Sequence, residues 1–288
     1  MKLHELVGTR LHGGETAYHS ADAMLYALSL GFGDDPCDTR ELPYVYEEGL
    51  RVLPTLPLVL GWQGIWMPAP GLALDWPRML HAEERLDLHR PLPPAGVVRE
   101  EVWLDAVVDR GATRGAFIHT RKELYSENDG LHLATVRSCV LARGDGGGES
   151  AGAAPPPLEA TPAHGATRLS RRATLPRQAL LYRLNGDRNP VHASPATAAV
   201  AGFERPLLHG RCTLGIALRE ILAQCLDHDA SPIARVQVRF AAPFFPGETL
   251  QVRTWRDGSR IAFSADCAER DVTVLSHGRV DLRGAKEN

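Results

Sequence analysis

A carboxylate and an imidazole stand five residues apart in Gly186-Asp187-Arg188-Asn189-Pro190-Val191-His192, with an Asn-Pro turn between them. Proline fixes its own φ and biases Asn189 away from helix, so Asp187 and His192 fall on the two sides of a turn rather than on one helical face. Two such groups aimed into one pocket can hold a water molecule, take a proton from it and deliver a proton elsewhere. The same residues also suit an ordinary loop: Gly-Asp and Asn-Pro are turn dipeptides, and a histidine beside them can simply satisfy a local carbonyl.

Downstream lie a small-residue stretch, Ala193 to Gly202, and then Pro206-Leu207-Leu208-His209-Gly210. From Cys212 the apolar residues Leu214, Ala217, Leu218, Ile221, Leu222 and Cys225 recur at three- and four-residue intervals, which predicts a helix with one buried face. The first N–H groups of a helix have no intrahelical partner, and its dipole is positive at that end. Gly210 carries no side chain to block an approach, so a carbonyl oxygen arriving there would be polarised and an enolate made from it stabilised. Taken alone, Gly210 equally well just lets the chain turn into the helix.

The run Tyr182-Arg183-Leu184-Asn185-Gly186-Asp187-Arg188-Asn189-Pro190-Val191-His192, followed by Ala201-Gly202-Phe203 and Leu208-His209-Gly210, resembles the hydratase 2 signature of MaoC-like enzymes, the (R)-specific enoyl-CoA hydratases. In the amino-terminal half, Leu25-Tyr26-Ala27-Leu28, Val45-Tyr46-Glu47 and Val52-Leu53-Pro54-Thr55 are similar to the two-domain hydratase of peroxisomal multifunctional enzyme type 2. The resemblance therefore runs over nearly the whole chain. It implies addition of water across a trans-2-enoyl-CoA to give the (3R)-hydroxyacyl-CoA, or the reverse dehydration, within fatty-acid or related acyl-CoA metabolism. In that chemistry His192 is favoured as the base toward water and Asp187 as the group that cycles the C2 proton, the opposite order fitting the residues as well. Asn189 orients the water or the pair, and the Gly210 N–H faces the thioester oxygen.

Other positions carry over singly. Glu47 matches a family glutamate important for activity, or is a surface carboxylate. Tyr26 matches the family's Tyr-Ala-Leu segment, or only packs. His81 matches the Leu-His-Gly of the first half, where it touches ligand, although Ala82 replaces the glycine. Arg110 stands where the family has a basic residue near the CoA phosphates, or is a solvated turn charge. Phe240 contacts the CoA arm or fills the sheet. Gly186, Arg188 and His209 complete the expected substrate-binding set. The chain departs from the pattern at Asn185, where serine is common, and at Ala193-Ser194-Pro195, which replaces an aspartate before proline.

The elements that must position these residues are legible at low resolution. Gly144 to Gly165 is rich in Gly, Ala and Pro and reads as an exposed linker. It separates an amino-terminal unit, 1–143, without the Asp/His pair, from a carboxyl-terminal unit, 166–288, that holds the motif. In each unit an apolar segment expected as a helix, Leu53 to Trp66 or Leu208 to Leu226, precedes strand, Pro/Gly turn and strand: Arg85 to Leu88 then Val97 to Leu104, and Val236 to Phe240 then Leu250 to Trp255. Alternating runs close each unit: Gly115 to Arg121 and His132 to Leu141, or Arg260 to Cys267 and Val272 to Leu282. With the resemblance, this is an α+β chain with a double hot-dog fold, one long antiparallel sheet wrapping central helices. Trp62, Trp66 and Met67 then line room for a long or bulky acyl chain in the first unit, or serve as its core.

Composition narrows the function classes. The 288 residues are 44% hydrophobic, enough for one large core or two small ones, and the formal net charge of -3 offers no basic field for nucleic acid. Five scattered cysteines lack zinc-type spacing, so no metal is expected and the thiols read as reduced. Met1 to Gly14 shows no signal core, no stretch is long enough to span a bilayer, and Gly284 to Asn288 is not a Ser-Lys-Leu address. The expectations are a cytoplasmic homodimer acting on an acyl-CoA thioester with no separate cofactor. Two rivals are a catalytically silent acyl-CoA-binding module, which needs neither Asp187 nor His192, and a hot-dog thioesterase, which needs a carboxylate on the central helix where Gly210 to Leu218 has none.

Overall fold

The computed structural model describes residues 3–61 and 74–284. Strand β1 (Arg10–Tyr18) and helix α1 (Ser20–Ser29) lead to β2 (Met79–Leu88), β3 (Gly96–Asp109), β4 (Ala116–Ser126) and β5 (His132–Ala142). After the short β6 (Ala151–Gly152) come β7 (Arg168–Ala173), α2 (Gln178–Tyr182), α3 (Pro195–Val200), α4 (Gly210–Cys225), β8 (Ile233–Phe240), β9 (Thr249–Asp257), β10 (Arg260–Cys267) and β11 (Val272–Leu282).

The period-two rule is clearest in β10, where Ile261, Phe263, Ala265 and Cys267 are buried on one face. The strands form one antiparallel sheet in the order β1-β3-β4-β5-β2-β8-β11-β10-β9-β7, with β6 beside β3. The order is symmetric about the β2–β8 pairing, where the two halves meet with Glu83 opposite Arg239 and Asp87 opposite Arg235. Ion pairs tie that seam on the outer face, Arg239 to Glu83 at 2.8 Å and Arg235 to Asp87, and Arg137 of the neighbouring β5 also meets Asp87 at 2.6 Å. The sheet curls around α4 as the double hot-dog fold does.

The helix at the centre differs from its expected form. Residues Arg211 to Leu222 of α4 are buried without exception, so the helix has no solvated face. The sheet covers one side, and the chain around α1 covers the other, with Leu30 over Gly215 and Glu41 accepting two bonds from Arg219 at 2.7 and 2.9 Å. Full burial of Leu214, Ile216, Leu218, Ile221 and Leu222 stabilises by about 1.5–3 kcal/mol each relative to exposure.

The first half does not repeat this helix in the described part of Leu53 to Trp66. Residues 53–61 form a single 3-10 turn, Leu56–Leu58, between Pro54 and Gly61. Pro54 and Pro57 lack the N–H that a continuing helix would use. Gly61 has φ +72, and a Cβ there would strike the Glu100 carboxylate. The segment still buries Leu53, Leu56, Leu58, Val59 and Leu60. Trp62, Trp66 and Met67 lie outside the described residues.

The Gly/Ala/Pro-rich stretch is largely exposed yet tethered. Pro156 O accepts from Arg85 at 2.6 Å, His164 O from the Trp255 indole at 2.8 Å, and Leu158 is buried. Among the described residues, no helix is long and apolar enough to cross a membrane.

Candidate active site

Helix α2 runs into a 3-10 turn, Arg183–Asn185, that ends on Gly186 with φ +114, a conformation that favours glycine. The reversal presents Asp187, whose Oδ1 accepts from the Asn189 N–H at 3.2 Å. Asn189 Oδ1 in turn accepts from the Val191 N–H at 3.1 Å and caps the turn Pro190–His192. The Asn-Pro step thus delivers His192 back toward Asp187, as the sequence predicts. Asn189 acts by holding the turn.

The two nitrogens of His192 have different fates. Nδ1 lies 3.0 Å from the Leu207 carbonyl, which can only accept, so Nδ1 carries the proton and Nε2 keeps a lone pair. His209, the residue before α4, is oriented likewise: its Nε2 lies 3.1 Å from the Asp187 backbone carbonyl. The rings of His192 and His209 stack with centroids 3.6 Å apart, and Tyr182 backs His209 at 4.9 Å.

Asp187, Asn189, His192, His209 and Gly210 share a cavity of about 230 Å3. Phe240, Phe244 and Leu275 wall it from the second half, and Met79, Leu80, His81 and Val140 from the first. Gly210 opens α4 directly against Phe240, whose Cε1 would stand 3.0 Å from a Cβ at that position. The first N–H groups and positive dipole end of α4 therefore face this largely apolar-walled cavity, where they can stabilise a developing negative charge.

Burial acts on both imidazoles. It lowers the pKa of His192 from the ordinary 6.5, with the Asp187 charge opposing the shift. Desolvation and the neighbouring His192 push His209 well below that value. Both rings are neutral at physiological pH, the state a base requires.

The remaining predicted residues divide. His81 and Phe240 line the cavity, their rings 4.6 Å apart, and Ala82 sits at a register shift between β2 and β5 where the family has glycine. Gly186 and the exposed Arg188 flank Asp187 without lining the cavity. Three more of the predicted residues lie outside the cavity lining. Glu47 is exposed in the loop after a 3-10 turn and does not line the cavity; the buried carboxylate of this region is Glu41, claimed by Arg219 and the Gly33 N–H. Tyr26 is wholly buried in the core, 6.1 Å from Tyr182, because the inner face of α1 packs under α2. Arg110 sits in the β3–β4 turn with its guanidinium over Phe117 at 4.9 Å, away from the cavity lining. The two departures from the family pattern have local roles: Asn185 Nδ2 donates to Tyr182 O and Ser29 Oγ, and Ser194 Oγ caps α3.

The sequence reading missed a buried polar group on the first-half wall. Arg211, the second residue of α4, donates to Glu84 at 2.7 Å, to Ser138 at 3.1 Å and to the Leu58 carbonyl at 2.9 Å. Glu84 also accepts from Ser138 at 2.6 Å and lies 3.0 Å from His81 Nε2. The signal was available: Glu84, Thr120, Lys122 and Ser138 interrupt strands whose inward positions are otherwise apolar. Burial pushes the Lys122 ammonium down to about 7, and its Nζ donates to Leu60 O at 2.6 Å.

The donor atoms of Asp187, His192 and His209 lie within 4.8 Å of one another, close enough to meet on an ion. Stacked rings, however, place their lone pairs side by side rather than converging them, and one nitrogen of each ring is held by a carbonyl. The carboxylate nearest a thioesterase role, Glu220, stands ten residues into α4, about 15 Å along its axis, and is engaged by Arg172 at 2.8 Å.

Comparison with known proteins agrees with this geometry. Residues 159–277 match the MaoC like domain and residues 17–144 the MFE-2 hydratase 2 N-terminal domain. The chain is 38% identical to enoyl-CoA hydratase ChsH3 of Mycobacterium tuberculosis, over 94% of its own length and 95% of that protein. It is 34% identical to peroxisomal multifunctional enzyme type 2 of Mus musculus over 96% of its own length, but spans only 38% of that longer protein. The crystal structure of a MaoC-like dehydratase from Phytophthora capsici superposes with a TM-score of 0.87 over 100% of both chains, at 26% identity.

Proposed function

The chain belongs to the MaoC-like hydratase 2 family, and from that premise we propose that it is an (R)-specific enoyl-CoA hydratase, adding water to trans-2-enoyl-CoA thioesters or removing it from (3R)-hydroxyacyl-CoA. The observation that carries the reading is the His192 Nδ1 bond to Leu207, which leaves a basic Nε2 beside Asp187 at the start of α4.

A water held between Asp187 and His192 loses its proton to Nε2 as its oxygen attacks C3. The thioester oxygen gathers charge at the Gly210 N–H, which is fixed before the reaction begins and needs no reorganisation. The proton taken by His192 is passed on through Asp187 and delivered to C2 from the same side, so both groups return to their starting protonation states. Atoms balance: one water is consumed, one C–O and one C–H bond form, and the C2–C3 double bond becomes single. No cofactor is required beyond the CoA of the substrate. His81 and Phe240 are proposed to bracket the acyl thioester, and Arg188 and Gly186 to border its entrance.

The five free cysteines support a reducing compartment, and we retain the cytoplasm as its place. The outer sides of β1 and β7, unpaired among the described residues, together with half-exposed Leu28, Leu180 and Leu184, support a homodimer. Offering both enantiomers of a 3-hydroxyacyl-CoA tests the function: the (3R) form is dehydrated to the conjugated enoyl thioester and the (3S) form is not. Equal turnover of both, or of neither, rejects the reading.

A further inference from the structure

The two walls of the cavity differ in chemistry. On the second-half wall, one row across the sheet reads Phe240, Leu275, Ala265, Val252, all apolar. On the first-half wall, the row that faces α4 reads Glu84, Ser138, Thr120, Leu104, and the next carries Lys122 between Val136 and Val102. An apolar acyl chain calls for none of these polar groups.

Most of them are already satisfied. Glu84 is held by Arg211 and Ser138, and Ser138 also accepts from Arg211, so the charges at this wall cancel in pairs. Thr120 is the exception. It lines the cavity, is 7% exposed, and its hydroxyl has no hydrogen-bond partner among the described residues. Lining the cavity, that hydroxyl can donate to and accept from whatever enters, where a same-shaped valine would offer neither. Its place beside Ser138 and near His81 marks a spot where an incoming neutral oxygen can be both given and offered a hydrogen bond.

Resting on the hydratase reading above, we propose that Thr120 makes the first-half wall a specificity site for acyl chains that carry a neutral oxygen substituent, a hydroxyl or an oxo group, beyond the reacting double bond. An ionised tail is disfavoured there because Glu84 already neutralises Arg211. A site built to bond an oxygen loses affinity for the chain that lacks it, because its own polar group is then left unpaired.

The test compares trans-2-decenoyl-CoA with a series bearing one hydroxyl or oxo group at successive positions beyond the double bond. At the matching position kcat/KM exceeds that of the plain substrate by about ten-fold, the worth of one net hydrogen bond. Thr120→Val brings that ratio close to one, while Thr120→Ser keeps it. A melting temperature of Thr120→Val at or above that of the wild type separates lost recognition from lost folding. The proposal is overturned if every oxygenated substrate is hydrated no faster than decenoyl-CoA, as when Thr120 holds only a water, or if Thr120→Val leaves the preference intact. Absence of hydration on the whole series, plain substrate included, would instead sink the hydratase reading itself.

Discussion

The imidazole of His209 lies flat against that of His192, their centroids 3.6 Å apart and their planes inclined by 25°. Each ring gives its one N–H to a backbone carbonyl, Leu207 for His192 and Asp187 for His209. A second proton on either ring would set a positive charge against the face of its neighbour in a buried place. The stack therefore holds the base neutral.

The pH dependence follows in direction. His192 must be neutral to accept the water proton, and burial sets its pKa below the ordinary 6.5. Activity is full above that lowered value and falls as pH drops through it. We expect the acid limb of kcat/KM for crotonyl-CoA to lie below pH 6.5; a limb centred above that value contradicts the assignment.

The same two histidines couple folding to pH. Their folded pKa values lie below the unfolded one, so at acid pH the unfolded chain binds more protons. Their contribution is complete above pH 6.5 and declines as pH falls below it. Denaturant titrations should show stability falling between pH 6.5 and 5 in the wild type, with a shallower decline in His209→Phe. Equal slopes would mean that His209 carries no such linkage.

Gly210→Ala places a methyl 3.0 Å from the Phe240 ring at the start of α4. Either the ring or the helix start must give way by a few tenths of an ångström. Displacing the oxyanion donor lowers kcat by about 10- to 100-fold, with KM changing less. Unchanged kcat would remove the Gly210 N–H from the mechanism.

Arg211 and Glu84 are both buried, so removing one strands the other's charge. Arg211→Met should cost about 3–5 kcal/mol of stability, and the double variant with Glu84→Met should recover much of it. The Arg211 and His81 charges overcome burial and hold the Glu84 carboxyl at about 2. Its stabilising share is present above its ordinary 4.5 and lost as pH falls from there toward 2. Equal melting temperatures for wild type and Arg211→Met would refute the coupling.

Legibility from sequence tracked locality. The Asp187–His192 turn was readable because proline and glycine fix backbone geometry within a few residues, and the strands because alternation survives at short range. The α4 helix was placed correctly, but its periodicity showed one buried face, since nothing in its own residues announces that Leu30 and Glu41 will cover the other. The described part of the first-half apolar run is not helical because Pro54 and Pro57 interrupt the helical hydrogen bonding, which hydrophobicity alone does not reveal. Glu47, Tyr26 and Arg110 were carried by motif alone, and a motif does not say which side of a turn a side chain takes. The Glu84, Thr120, Ser138 and Arg211 grouping joins three strands and a helix, so only the register brings it together.

The most direct test of the central claim is the loss of enoyl-thioester absorbance from crotonyl-CoA and decenoyl-CoA, followed for the wild type and Asp187→Asn, with chiral analysis of the product. The geometry predicts a (3R)-hydroxyacyl-CoA from the wild type and a rate lower by about 10²- to 10⁴-fold for the variant, at an unchanged melting temperature. A (3S) product, or a variant as fast as the wild type, would contradict water activation between Asp187 and His192.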